Sequence, residues 1–407
     1  MARLLKTPFA VAFGVTAALT LGLLLLREAR SPFPAVRQVS GDAGAAYIDA
    51  RRDVAHGGDA LASALVSGLD WLARHQYAEG MWSARSFAQM CEGRVCLGRG
   101  EDEHDLGVTA LAVLAMLESG RVRPKYEDSA RRALAWLARR QDEGGCFGPR
   151  VGKYMYGHAV ATLAFARAYP VLGEALYKHH AARGIRFLEM ARNPGWAWRY
   201  GIRDGDNDTS VTGWVGAALL AAASPEVDIP VDPRAPEGIY RWLDEVTGDR
   251  YYEVSYRRRG GGGASVRGVN DHYERNEGLT AVAVWLWGRS GNPRDGARAR
   301  VGARRLCGDL PLWNSDATTV DFCAWFAGTR ALAACGDPAL WGPWSGRVRR
   351  LLVAHQRKFN EGCSHGSWDP VDKWGCEGGR VYATAMNLLT LGVADGARVP
   401  APPPSTP

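Results

Sequence analysis

Two kinds of apolar pattern alternate along the chain between about residues 60 and 395. Segments at about 60–75, 126–140, 174–191, 236–246, 294–307 and 345–358 carry apolar residues on one helical face and arginine-rich polar residues on the other, as surface helices do. The segments between them, at about 105–119, 154–168, 208–222, 277–289, 320–335 and 379–393, are small and apolar on most sides. A helix of that kind has to be buried. Six outer helices alternating with six inner ones predict an all-α fold, an (α/α)6 toroid built from six helical hairpins. The one strand-like stretch, Tyr251 to Tyr256, predicts a hairpin.

The ends of the chain read differently. Arg3 and Lys6 precede an uncharged apolar run from Phe9 to Leu26, which as a helix would span roughly 27 Å, close to a hydrocarbon core. The run is long for a signal-peptide core, and Arg27-Glu28-Ala29-Arg30 offers no small-x-small cleavage site. The expected organisation is therefore an N-terminal membrane-spanning anchor over 1–30, a linker over 31–58, the toroid over 59–397 and a disordered tail over 398–407. Anchoring of this kind makes the membrane a partner and places the domain outside the cytoplasm, in the periplasm or at the cell surface.

Composition sharpens the picture in three places. Fifteen tryptophans supply large apolar plates, each with one donor. The formal charge of +7 comes from scattered arginines rather than a basic stripe, which argues against a nucleic-acid partner. Eight cysteines suit an oxidising compartment. Cys91 with Cys96, and Cys363 with Cys376, read as local disulfide pairs, and a metal site from Cys91, Cys96 and His104 is the alternative. The expected metal set is none, because the sequence offers no complete ligand set, and no cofactor motif is present.

The inner helices align with one another. With Thr109, Ala159, Thr212, Thr280, Trp325 and Thr384 taken as equivalent, the position four residues earlier holds Asp105, Met155, Asp208, Asn276, Asp321 and Arg380. These positions mark helix starts, so polar groups should ring one mouth of the barrel. Asp and Asn there serve as N-caps; the same mouth collects helix-dipole potential and suits a polar ligand. Candidate ligand-binding residues are Asp105, Asn276 and Arg380 from this ring and the inner-helix aromatics Trp214, Trp285 and Trp325. An insertion at 247–276 carries Arg257-Arg258-Arg259 beside Gly260–Gly263, which reads as a mobile loop or as an anion-closing lid.

A phrase recurs after the outer helices: Trp71-Leu72, Gln76 and Gly80-Met81-Trp82; Trp136-Leu137, Gln141 and Gly145-Cys146-Phe147; Phe187-Leu188, Arg192 and Gly195-Trp196-Ala197-Trp198; Leu351-Leu352, Gln356 and Gly366-Ser367-Trp368. It resembles the Gln-Trp repeat of squalene–hopene and oxidosqualene cyclases, in which the glutamine ties helix ends together and the tryptophan stacks beside it. The resemblance covers about residues 60–395 and extends to bacterial single-toroid proteins of the prenyltransferase and squalene-oxidase repeat type, through Asp208-Thr209 to Trp214, Asp321-Phe322 to Thr329 and Gly379-Arg380 to Ala385.

What the resemblance implies about chemistry is incomplete here. Squalene–hopene cyclases protonate an alkene with the middle Asp of Asp-x-Asp-Asp-Thr, a step that needs a strong buried acid. The matching segment is Asp204-Gly205-Asp206-Asn207-Asp208-Thr209, so the proton donor falls on Asn207, which cannot act as an acid. Protein prenyltransferase β subunits bind zinc through Asp, Cys and His. Asp321 and Cys323 match the first two ligands, but Ala383 stands at the third, and only His365 or His272 swinging in would complete the set.

The candidate catalytic residues are therefore Asp204, Asp206, Asp208 and, across the ring, Asp321. The activity implied is of squalene/terpene cyclase type (isomerase or lyase) or prenyltransferase type, on an isoprenoid or other apolar lipid. A non-catalytic scaffold binding a protein or ligand on the same toroid is the alternative. Glycan chemistry, which needs two facing carboxylates, is the third. The Gly-Cys-x-Glu-Gln segment of thioester toroids is absent.

Overall fold

The computed structural model describes residues 60–119, 124–249 and 252–396. Twelve α-helices follow one another within them: α1 (60–74), α2 (Asp105–Glu118), α3 (Pro124–Ala138), α4 (Tyr154–Leu172), α5 (Ala175–Ala191), α6 (Thr209–Ala222), α7 (Arg234–Val246), α8 (Gly278–Trp287), α9 (Pro293–Cys307), α10 (Phe322–Cys335), α11 (Pro338–His355) and α12 (Gly375–Ala394). The even-numbered helices pack side by side in a closed circuit, α2–α4–α6–α8–α10–α12 and back to α2, and the odd-numbered ones lie against them from outside. This is the expected toroid.

The burial pattern explains which helix goes where. Helix α6 buries nearly every residue, from Thr209 to Ala222, so it is stable only with neighbours on all sides. Helix α7 buries the stripe Ala235, Gly238, Ile239, Trp242, Leu243 and Val246 and keeps its charged face outside. Three boundaries differ from the sequence expectation. Helix α11 begins at Pro338 rather than near 345, because Asp337 caps it through the Ala339 N–H at 2.9 Å and proline is well suited to a first helical turn. Helix α4 runs on through Pro170 to Leu172 and ends at Gly173. Helix α12 breaks at Gly379 (φ 65°, ψ −164°), so its regular part starts where expected, at Arg380. The predicted hairpin at 251–256 reduces to a single bridge between Thr247 and Val254, with Tyr251 outside the described residues.

The recurring phrase joins one hairpin to the next. The Gln76 amide donates to Gly80 O in its own loop and to Ser129 O on α3, both at 2.8 Å. Gln141 bonds Gly145 O and His180 O, each at 3.0 Å. Gln356 bonds Gly366 O and Ala64 O, each at 2.8 Å, and so closes the last hairpin onto the first. The indole N–H groups of Trp82, Trp198 and Trp368 donate to Leu72 O, Leu188 O and Leu352 O at 2.7–2.8 Å. In the third copy Trp198 makes this bond, while Trp196 is 36% exposed and packs near Arg241. The aligned threonines then fix each loop to its inner helix, as in Trp82 N to Thr109 Oγ1 at 3.0 Å and Trp368 N to Thr384 Oγ1 at 3.3 Å.

The glycine of the phrase is demanded by the same joint. Gly80 (φ 104°) and Gly366 (φ 91°) sit where a Cβ would come within 2.3 Å of Arg132 O and 2.1 Å of Ser67 O, and both backbone conformations are left-handed. Each glycine lets its loop lie directly on the backbone of the next outer helix.

No helix among the described residues is long and apolar enough to cross a membrane. The expected anchor (1–30), the linker (31–58) and the tail (398–407) lie outside those residues.

Candidate functional site

The long connections, 75–104, 139–153, 192–208, 247–277, 308–321 and 356–374, all lead into the N-terminal ends of inner helices, whereas those at the other end are shorter, from two residues (173–174) to eleven (223–233). The polar residues expected at the mouth are therefore gathered at one end, but in separate hydrogen-bonded groups.

The first group lies around the starts of α4 and α6. Asp208 caps α6 by accepting from Val211 N at 2.7 Å, and it also receives Ser210 Oγ at 3.0 Å and the Tyr256 hydroxyl at 3.3 Å. Burial pushes its carboxyl up to about 6 against the pull of these donors. Tyr256 meets Tyr200 at 2.6 Å, and the Tyr156 hydroxyl meets Ser210. Asp206 is clamped between Arg199 and Arg257, and the Arg257 hydrogen bond leads in holding it below the usual carboxylate range. It is a fixed anion. Asp204 is an exposed turn residue accepting from Gly201 N at 2.8 Å. Asn207 accepts from Ala197 N at 3.0 Å and from Asn193 at 3.1 Å, a loop-building role that uses its amide oxygen.

Each of the three carboxylates nominated in this segment therefore has a structural job. Asp208→Ala should cost about 1–2 kcal/mol of stability, and Asp208→Asn, which keeps the cap acceptor, distinctly less. Urea unfolding of both variants checks the ranking.

The second group lies where α8, α10 and α12 begin. Asp321 caps α10 through Ala324 N at 2.9 Å and accepts from Asn276 at 2.8 Å; burial raises its pKa. Beside it stands a residue the sequence pattern does not single out. Asp372 is 2% exposed; one of its oxygens accepts from the Tyr382 hydroxyl at 2.9 Å and from Phe322 N at 3.2 Å. Its other oxygen is buried without a geometrically sound hydrogen bond among the described residues. Burial, and then the neighbouring Asp321, push this carboxyl up to about 8, so it is protonated at neutral pH. Tyr382 also contacts Cys323 Sγ at 3.1 Å. The histidines that would complete a metal set with Asp321 and Cys323 do not gather with them among the described residues; His272 lies tilted against Tyr273 and His365 edge-on to Phe359.

The remaining nominated residues divide between wall and lumen. Asp105 holds Ala84 N at 2.8 Å, and burial raises it to about 6. Arg380 bonds Leu97 O at 2.6 Å and Ser367 Oγ at 2.8 Å and pairs with Asp369, tying the last repeat to the first. Trp325 packs into the wall against Trp313 and Phe322. Two arginines of the supposed lid are occupied, Arg257 by Asp206 and Arg259 by Asp249.

The lumen is identified by contacts between inner helices that are not neighbours. Trp214 on α6 stacks on Phe326 of α10, with ring centroids 6.1 Å apart. Arg330 of α10 lies within electrostatic reach of Glu118 on α2, Arg289 after α8 and Arg167 on α4. Its guanidinium lies 3.8 Å from the Trp285 ring and 5.2 Å from that of Phe326, and Arg289 lies 4.5 Å from Trp285. Arg167 pairs with Glu118 at 3.0 Å. Arg330 donates no hydrogen bond to the protein among the described residues, and Arg289 Nη2 is buried without an acceptor. Burial pulls Arg330 down to about 9 and Arg289 to about 10, so both stay charged at neutral pH. Three guanidiniums against one carboxylate leave this end of the lumen positive. Each of these arginines resembles a solvent-facing helix residue in sequence, and only closure of the ring brings them together. Two open surface clefts, of about 310 and 410 Å³, are lined by loop residues such as Arg99, Arg94 and His365 and by no lumen residue.

The fold defined by this double ring is the α/α toroid. No protein-family model and no curated protein matches the chain. Among solved structures it is similar to an α-1,6-mannanase of Salegentibacter bound to α-1,6-mannotriose (TM-score 0.57, 13% identity, covering 84% of this chain and 99% of the other). It is similar also to a type II terpene cyclase from Scytonema bound to geranylgeranyl dihydroxybenzoate (TM-score 0.55, 15% identity, 84% and 99%). A third is the cellobiose 2-epimerase of Spirochaeta thermophila (TM-score 0.57, 15% identity, 85% and 98%). At these identities the likeness is one of fold alone, shared by lipid-active and glycan-active enzymes.

Proposed function

We propose that the toroid binds a ligand with an apolar body and an anionic head, held in the lumen with the head on Arg167, Arg289 and Arg330. The observation that carries this reading is Arg330, whose guanidinium has no hydrogen-bond acceptor among the described residues and lies over the Trp285 ring and close to Phe326. Cyclases use aromatic faces to steady a travelling carbocation. Here resident cations already occupy those faces, and they would repel a second positive charge. An isoprenoid diphosphate or carboxylate suits such a lumen better than squalene. The apolar run ahead of the ring would keep it at a membrane, outside the cytoplasm, where lipids of this kind are available.

A second reading rests on Asp372. A buried carboxyl that keeps its proton at neutral pH beside Tyr382 and Cys323 is available as a general acid.

One experiment separates the two. The purified domain is titrated with geranylgeranyl diphosphate, geranylgeraniol and squalene by calorimetry, and each mixture is extracted for product analysis. The diphosphate should bind best, and Arg330→Gln should weaken it about 10- to 100-fold, the worth of one charge-assisted hydrogen bond of about 1.5–3 kcal/mol. Equal binding of diphosphate and alcohol, or no binding, overturns the anion reading. A cyclised product that disappears in Asp372→Asn establishes the second.

A further inference from the structure

Four side chains converge at the joint between the first and last hairpins. His75, at the end of α1, is fully buried. Its Nε2 lies 3.5 Å from Cys91 Sγ, 3.7 Å from Cys96 Sγ and 3.3 Å from Cys363 Sγ. The four ligand atoms all fall within 4.8 Å of one another. From the metal–ligand lengths of tetrahedral zinc, the edges of a three-sulfur, one-nitrogen site should be about 3.6 Å (N to S) and about 3.8 Å (S to S). The three N-to-S edges already match this closely, and no S-to-S edge exceeds 4.8 Å.

The surroundings are those of ligands rather than of a chance cluster. His75 Nδ1 bonds Trp71 O at 2.9 Å, which puts the proton on Nδ1 and leaves the Nε2 lone pair facing the sulfurs. Trp71 stacks on the imidazole at 4.1 Å and holds its plane. Cys96 N–H donates to Cys91 Sγ at 3.3 Å, a bond that steadies a thiolate. Without a metal, one imidazole nitrogen can accept from only one of three thiols. A disulfide would use two sulfurs and leave the third, with the histidine, unexplained.

We propose that His75, Cys91, Cys96 and Cys363 form a closed structural zinc site that fastens the ring. Three thiolates and Zn²⁺ leave one negative charge, and Arg74 and Arg380 lie within electrostatic reach of His75 to balance it. All four positions are filled by protein, so the metal would have no open place for substrate. Cys363 lies 288 residues from His75 in sequence, which makes the bond a cross-link between the two sides of the joint. The Cys363–Cys376 pairing falls away, since Cys363 sits with Cys91 and Cys96 and Cys376 is exposed at the start of α12; Cys91 and Cys96 do lie together, here as ligands rather than a disulfide, and His104 bonds Glu377 at 2.7 Å rather than joining the cysteines.

The test is elemental analysis of the full chain, purified under reducing conditions without chelator, together with replacement of the metal by Co²⁺. One zinc per chain is expected. The cobalt form should show sulfur-to-metal charge transfer and the intense visible bands of a tetrahedral centre. Cys363→Ser should lose the stoichiometric metal and melt at a lower temperature, whereas Cys376→Ser keeps both properties. If Cys363→Ser does not fold, the cobalt spectrum of the parent still decides the matter, since octahedral or absent bands refute a thiolate site. Metal-free protein with a mapped disulfide among these cysteines overturns the proposal, as does full zinc content in Cys363→Ser.

Discussion

Replacing Gly366 by alanine should cost more than about 4 kcal/mol and leave the ring open or unfolded. The new Cβ would lie 2.1 Å from Ser67 O and 2.6 Å from Ser67 C, and a helix backbone cannot yield as a flexible side chain can. The left-handed φ of 91° adds about 1–2 kcal/mol for any residue with a Cβ. Gly173→Ala is the control, because Gly173 has φ 79° but nothing within 4 Å of where a Cβ would stand, leaving only the conformational cost. Urea unfolding should therefore rank parent, Gly173→Ala and Gly366→Ala in steps of very unequal size. Similar midpoints for the two variants would mean that contact with α1 is not why glycine stands at 366.

The second large effect concerns pH. Asp372 has a folded-state pKa of about 8 against an ordinary value of 3.8. Between those values the folded protein holds a proton that the unfolded chain has released, so stability falls as pH rises through this window. The loss should be on the order of a few kcal/mol, since each pKa unit corresponds to about 1.4 kcal/mol. Asp372→Asn keeps an acceptor for Tyr382 and for Phe322 N but carries no titrating proton. Parent and variant should be close at pH 5, and the variant should be the more stable at pH 9. Asp105 and Asp208, both raised to about 6, weaken the fold over a lower range. His158, lowered to about 3, acts with the opposite sign. These contributions are common to both proteins and cancel in the difference. Parallel curves from pH 5 to 9 would show that Asp372 ionises freely.

The fold was legible because its signals are periodic and local. An inner helix such as α6 cannot avoid burial, and the spacing of Gln76, Gly80 and Trp82 recurs where the same joint is made again. Even the alignment of Thr109 with Thr384 proved physical, since both hydroxyls hold the backbone of a loop tryptophan. The site was less legible because its members are ordinary until the ring closes. Asp372 is one aspartate in a loop without periodicity, and nothing near it in sequence announces Tyr382 and Asp321 as neighbours. Arg289 and Arg330 match the helix-end arginines that face solvent elsewhere. His75 ends an amphipathic helix, and its partner Cys363 lies in the last repeat. Conversely, the acidic segment from Asp204 to Asp208 was conspicuous for its composition, and the structure uses it for capping, ion pairing and loop construction.

The Gln356–Ala64 hydrogen bond joins residues 292 apart, and this has a consequence for biogenesis. During synthesis the outward face of the first hairpin must wait for a partner that is made last. At about 5–20 residues per second the wait is roughly 15–60 s, far longer than a helix needs to form. An open solenoid can protect its leading repeat with a polar cap; a ring has no such place to begin. The nascent chain therefore carries an exposed apolar flank for most of its time on the ribosome, and chaperone occupancy of that flank should end only when the residues around Gly366 emerge.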